Sequence, residues 1–153
     1  MKFFKLSQDR RIPYAVMLDG VDNIAGYYDS KSGYLSDLPD QIISQVPHSP
    51  LNHYPDILDR QIFMIKGAVK EVFDLFLPGL EYKHCCLLDN TADHNEVYYI
   101  PILTVAEANE GQAQGNHIFR IANTKEIEFA ASLAVIEAIL RRKPEGVMVS
   151  LKG

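Results

Sequence analysis

Residues 132–150 read SLAVIEAILRRKPEGVMVS, and two structural periods meet inside them. Leu133, Val135, Ile136, Ile139 and Leu140 recur at the three- and four-residue spacing that makes one apolar helix face. Ser132 stands where its hydroxyl can accept hydrogen bonds from the first-turn amides. Glu137 precedes Arg141 by four residues, the favourable order for an exposed ion pair worth roughly 0.2–0.5 kcal/mol. Arg141, Arg142 and Lys143 fall at the negative end of this helix, where each cation contributes roughly 0.3–1 kcal/mol. Pro144 forbids continuation, Gly146 supplies backbone freedom, and residues 147–151 turn to a β-branched strand. The basic run therefore reads as a helix terminus rather than as a nucleic-acid patch.

Working back from that unit, the chain alternates short strands with one more helix. KFFKL (2–6) and PYAVML (13–18) read as strands, with a turn at Asp19-Gly20. Gly20, Gly26, Gly33, Pro39, Pro47, Pro50 and Pro55 then break up any long element, leaving a short helical turn in DQIISQV (40–46). QIFMI (61–65) reads as a strand. After it Val69, Val72, Phe73, Phe76 and Leu77 fall on one helix face, stopped by Pro78-Gly79. EYKHCCLLD (81–89) and EVYYIPILTV (96–105), joined by the turn formers NTADHN, read as a hairpin. The polar stretch from residue 106 to residue 116 reads as a loop, followed by strands at 117–122 and 126–130 around Asn123-Thr124. The expected fold class is α+β: a mixed, mostly antiparallel sheet of about six to eight strands with two principal helices, 67–77 and 133–142, packed on it.

A chain of 153 residues, 47% hydrophobic and 23% charged, can bury a real core and reads as one domain. No run approaches the roughly 18 apolar residues of a membrane span. The start, MKFFKLSQDRR, lacks the apolar centre of a secretory signal, so a cytoplasmic location is expected. Cys85 and Cys86 are adjacent, where a disulfide would be strained, so both thiols are expected to be reduced. Strand alternation sends these two cysteines, and likewise Tyr98 and Tyr99, to opposite faces.

The net charge of −5 argues against neutralisation of nucleic-acid phosphates. Its distribution is uneven. Residues 12–59 hold seven acids and one base, a balance of −6, together with five of the eight tyrosines. Asp supplies steering and Tyr supplies rigid amphipathic contact area, so the segment is what a protein offers to a basic partner. Asp19, Asp22, Tyr27, Tyr28, Asp29, Asp37 and Asp40 are the candidate contact residues.

Catalytic and metal chemistry find little in the residue pattern. His48 and His53 accompany Asp56 and Asp59, but the two histidines lie on a proline-broken loop without zinc-motif spacing. His84, Cys85, Cys86, Asp89, Asp93 and His94 offer ligand types, again without metal spacing. No nucleophile elbow, glycine-rich dinucleotide loop or phosphate-binding loop occurs, so no catalytic residue, cofactor or metal is expected.

YPDILDRQIFMI, EVYYIPIL, HIFRI and SLAVIEAILRRKPEGVMV together resemble an immunity-protein family of bacterial polymorphic toxin systems, a domain-of-unknown-function type with a myxobacterial representative. The resemblance rests on the strand Ile118-Phe119-Arg120-Ile121, the strand Ile127 to Phe129, Ser132 with Glu137, and Gly146-Val147. It covers residues 54–150 and leaves 1–53 as a separate, acidic and Tyr-rich part of the same domain. What it implies is a cytoplasmic protein without catalysis of its own, which binds and neutralises a cognate toxin domain, a basic one where the toxin attacks nucleic acid. The alternative is a small-molecule-binding or enzymatic α+β domain built on the His/Asp loop 48–59.

Overall fold

The computed structural model describes residues 2–18, 38–107, 115–122 and 128–151. Within them ten strands and two helices follow one another: β1 (Phe3–Gln8), β2 (Gln41–Gln45), β3 (Ile57–Leu58), β4 (Met64–Ile65), α1 (Gly67–Phe76), β5 (Tyr82–Asp89), β6 (His94–Pro101), β7 (Val105–Ala106), β8 (Ile118–Ile121), β9 (Phe129–Ser132), α2 (Leu133–Arg141) and β10 (Val147–Leu151). The fold class is α+β, with two helices and mixed, mostly antiparallel pairing as expected. The strands divide between two five-stranded sheets rather than forming one sheet of six to eight. The first sheet runs β10-β1-β9-β8-β7 and the second β2-β5-β6-β4-β3, with parallel pairing only at β7/β8 and β2/β5. Two-residue strands such as β3, β4 and β7 are too short to show a period, so tertiary pairing alone defines them.

The C-terminal unit forms as its sequence requires. Ser132 Oγ accepts from Val135 N–H, and the capping serine is also the last residue of β9. Glu137 and Arg141 pair at 3.8 Å. Val135, Ile136 and Ile139 are buried, but Leu133 (49% exposed) and Leu140 (52%) are not, which corrects the wider stripe. At about 100° per residue these two leucines lie roughly 90–110° from the centre of the buried stripe, together on one flank of it. In α1, Val69, Val72 and Phe73 are buried, while Phe76 and Leu77 are half-buried at the helix end.

Three readings change. Residues 13–18 form no strand, only a parallel bridge from Ala15 to His53. DQIISQV is not a helical turn: Gln41–Gln45 pairs in parallel with β5, and the two flanking prolines bound a strand. Ser44 is buried on its inner face while Ile43 faces outward, an inversion of the usual polarity that hid the alternation. Of 61–65, only Met64–Ile65 is strand; Ile62 and Phe63 are buried in irregular backbone. The hairpin forms with a shorter connection, His94 already pairing with Asp89. The expected turns at Asp19-Gly20 and Asn123-Thr124 lie outside the described residues.

One hydrophobic cluster draws on both sheets and both helices, through Leu6, Ile57, Phe63, Val72, Leu87, Tyr98, Phe129 and Ile139. Phe3, Ala106, Phe119, Ile121 and Ala130 form a smaller second cluster on the first sheet.

Candidate functional site

Of the seven expected partner contacts, Asp40 alone is described; Asp19, Asp22, Tyr27, Tyr28, Asp29 and Asp37 lie outside the described residues. Asp40 enters β2 with its side chain 95% exposed and 2.7 Å from the nearly buried Lys83 Nζ. The hydrogen bond from that ammonium holds the carboxyl below the usual carboxylate range. Its carbonyl accepts from His84 N–H at 2.9 Å, so Asp40 both presents charge and fastens the edge of the second sheet. Other acids of the same segment turn inward. Asp59 Oδ2 accepts from Gln8 N–H at 2.9 Å, and Gln8 Oε1 accepts from Asp59 N–H at 3.0 Å, tying β1 to the loop after β3.

The loop 48–59 crosses the ends of both sheets, and its titratable groups meet partners remote in sequence. His48 Nδ1 lies 2.8 Å from Asp89 Oδ2, while Asp89 Oδ1 accepts from the amides of Thr91 and Ala92, each at 3.1 Å. The contact with His48 holds the Asp89 carboxyl below its ordinary value. His53 Nε2 is 3.8 Å from Glu145 Oε2, and its backbone brackets Tyr14 and Val16. The Tyr54 ring sits 4.9 Å from His94, whose Nε2 is 3.3 Å from Glu96 Oε1. Glu96 also meets Lys66 Nζ at 3.4 Å.

Asp56 stands at the middle of this set. Burial pushes its carboxyl above the usual range; the Glu145 amide and Lys66 oppose the shift, whereas Glu145 and Glu96 reinforce it. Its backbone donates to Glu145 O at 2.7 Å and accepts from Lys66 N–H at 3.0 Å, and the Pro55 carbonyl accepts from the buried Tyr98 hydroxyl at 2.6 Å. The polar groups of residues 53–56 therefore tie this stretch to residues 14–16, to Lys66, to β6 and to the turn before β10. The arrangement has a carboxyl that takes up a proton more readily than usual, near the Lys66 ammonium and the Glu96 and Glu145 carboxylates, to which His94 and His53 are paired.

Sequence reasoning placed His48, His53, Asp56 and Asp59 in one cluster and Asp89 and His94 in another, and it did not single out Lys66, Glu96 or Glu145, which complete the set from other elements. Only the left-handed Gly67 (φ 58°) and Gly146 (φ 70°), which pass Asp56 and Pro55 closely, could have marked where the loop is gripped. The second cluster disperses: Cys85 is buried with its thiol pushed up to about 12 by burial, Cys86 is half-buried, and both are free. Tyr98 faces in and Tyr99 out, as the alternation required. Among the described residues, no three His, Cys, Asp or Glu side chains come together as a metal-holding group. Nor, among them, is any helix long and apolar enough to cross a membrane. A shallow depression lined by Gln8, Val16, Leu18, Arg60 and Gln61 is a separate feature, closed in part by Gln61, which bonds both Leu18 N–H and Leu18 O. No protein-family model, curated protein or solved structure matches the chain.

Proposed function

We propose that the chain is an immunity-type protein, which acts in the cytoplasm by binding a basic toxin domain and has no catalysis of its own. The observation that carries this reading is the segregation of charge: seven acids and five tyrosines against one base in residues 12–59. The basic run at the other end supports it by being engaged within the fold. Arg142 donates to Ala138 O at 2.9 Å and meets Glu71 at 3.4 Å, and Arg141 meets Glu137. These cations neutralise a helix end, so the acidic segment holds the charge left over for a partner. The resemblance of residues 54–150 to immunity proteins points the same way.

The test measures binding to the toxin domain encoded beside this gene, comparing Asp19→Lys/Asp22→Lys with Arg141→Glu/Arg142→Glu. The aspartate variant is expected to associate more slowly, with the difference shrinking as salt rises. Loss of binding in the arginine variant alone would move the partner surface to the end of α2. A neighbouring gene that encodes no toxin would count against the whole reading.

A second reading, a small-molecule-binding or enzymatic domain, is favoured by the Asp56 carboxyl held above its usual range beside Lys66 and near Glu96 and Glu145. Chemical shifts of Asp56, His53 and His94 that respond to a small metabolite, and not to the toxin, would select it.

A further inference from the structure

A sheet edge must either hide its backbone or use it. Among the described residues, β2 stands at one end of the second sheet and reads QIISQ, without charge, proline or glycine. Its hydrogen bonds to β5 are bracketed by His84 N–H to Asp40 O and Val46 N–H to Leu88 O, both 2.9 Å. Strand alternation therefore turns the even-numbered backbone groups toward β5 and those of Gln41, Ile43 and Gln45 away from it. The side chains of these three share the outer face, where Ile43 is 65% exposed. Ile43 lies in register with Cys86, and Cys86 with Val97, itself 41% exposed, so an apolar row crosses the sheet and runs out at the edge.

We infer that β2 is a self-association edge: two copies of the chain pair their β2 strands antiparallel about a two-fold axis through Ile43. QIISQ is its own complement in that register. Ile43 meets Ile43 of the second copy, and Gln41 meets Gln45 at each end, so every outward-facing backbone group of the strand enters a hydrogen-bonded pair. The two apolar rows join across the axis. Charge selects a second copy over a basic partner. A chain of net charge −5 repels its like over most of its surface, but this strip is neutral and the adjoining Asp40 is matched by Lys83 at 2.7 Å. A basic partner would find no carboxylate along QIISQ to pair with. A five-residue edge, about 17 Å long, covers well under the roughly 800 Å² per partner of a standard interface, so the association is weak and concentration-dependent. β10, VMVSL, is also an uncharged five-residue edge, but its Val147 and Val149 are already half-buried against the core.

Sedimentation velocity over a concentration series tests this, independently of toxin binding. The parent chain is expected to pass from monomer to dimer. Ile43→Pro removes an N–H that faces away from β5, a position where an edge strand tolerates proline, and is expected to stay monomeric with an unchanged circular dichroism spectrum. Val149→Pro, on the other edge, is expected to dimerise normally. Register is read by two variants that leave the backbone intact. Gln41→Lys/Gln45→Glu sets opposite charges across each end and keeps the dimer, while Gln41→Lys/Gln45→Lys sets like charges there and weakens it by about tenfold or more. A parent chain that stays monomeric at concentrations on the order of 1 mM overturns the inference. So does a dimer lost through Val149→Pro but not Ile43→Pro, or equal behaviour of the two glutamine variants. If Ile43→Pro fails to fold, the glutamine pair still decides.

Discussion

Gly146 adopts φ 70°, and a Cβ there would run into Pro55 Cβ. Two costs therefore add in Gly146→Ala: left-handed backbone, about 1–2 kcal/mol, and overpacking against a ring, about 1–3 kcal/mol. Gly79→Ala, at φ 80° in open space, should show the first cost alone. Urea denaturation of the two variants side by side checks the difference; equal losses would mean that the contact with Pro55 is not tight. A second residue-scale prediction concerns pH. His48 holds the Asp89 carboxyl below its usual range, so the folded protein binds that proton less readily than the unfolded chain. The resulting stability is present above the usual carboxylate range and is lost as pH falls through the folded value. Asp89→Asn, which can still accept from Thr91 and Ala92, is expected to be less stable at neutral pH and to lose less on acidification. A urea midpoint that falls as steeply with acid in the variant as in the parent would refute the assignment. Asp56, shifted upward by burial, has the opposite sign, its contribution being lost as pH rises through its folded value.

At the scale of elements, both ends of α2 can be tested separately. Ser132 Oγ serves Val135 N–H at one end and meets His117 Nδ1 at 2.9 Å, all at a buried position. Ser132→Ala should cost about 1–2 kcal/mol, seen as a lower denaturant midpoint with unchanged slope. At the other end Lys143 closes the helix with its N–H donated to Leu140 O and φ at 51°, a conformation that strains a side chain. Lys143→Gly should raise stability by about 0.5–1 kcal/mol, and a lowered melting temperature would show that the lysine contributes more than strain. The serine was legible because a cap is a local device. The strained lysine was not, since the sequence placed the special backbone freedom at Gly146 and the helix closes three residues earlier. β2 shows the same limit: its pattern supports a short helix or a strand equally, and β5 decides between them.

Across the whole molecule, the two sheets share one hydrophobic cluster with both helices. Phe63, in irregular backbone before β4, stacks on Phe129 of β9 at 3.9 Å between centroids and lies 6.5 Å from Phe73 of α1. Because it leads directly into β4 of the second sheet and packs on β9 of the first and on a helix, Phe63→Ala should cost about 3–5 kcal/mol and lower both sheets in one cooperative transition. A biphasic melt, with the hairpin of the second sheet surviving the first, would show that the sheets fold separately.

Local chemistry in the sequence determined the two helices, the central hairpin, the opposite facing of Cys85 and Cys86 and of Tyr98 and Tyr99, and the termination of α2 by charge, proline and glycine. Each depends on neighbours within a few residues, and period and capping report those faithfully. Tertiary structure alone decided that the strands form two sheets, that DQIISQV is an edge, and that Asp56 is gripped by Lys66 and by the turn before β10. Those outcomes turn on pairing and burial between segments tens of residues apart. The preference of a two- to five-residue strand is too weak to encode such pairing, which follows only when the shared core closes.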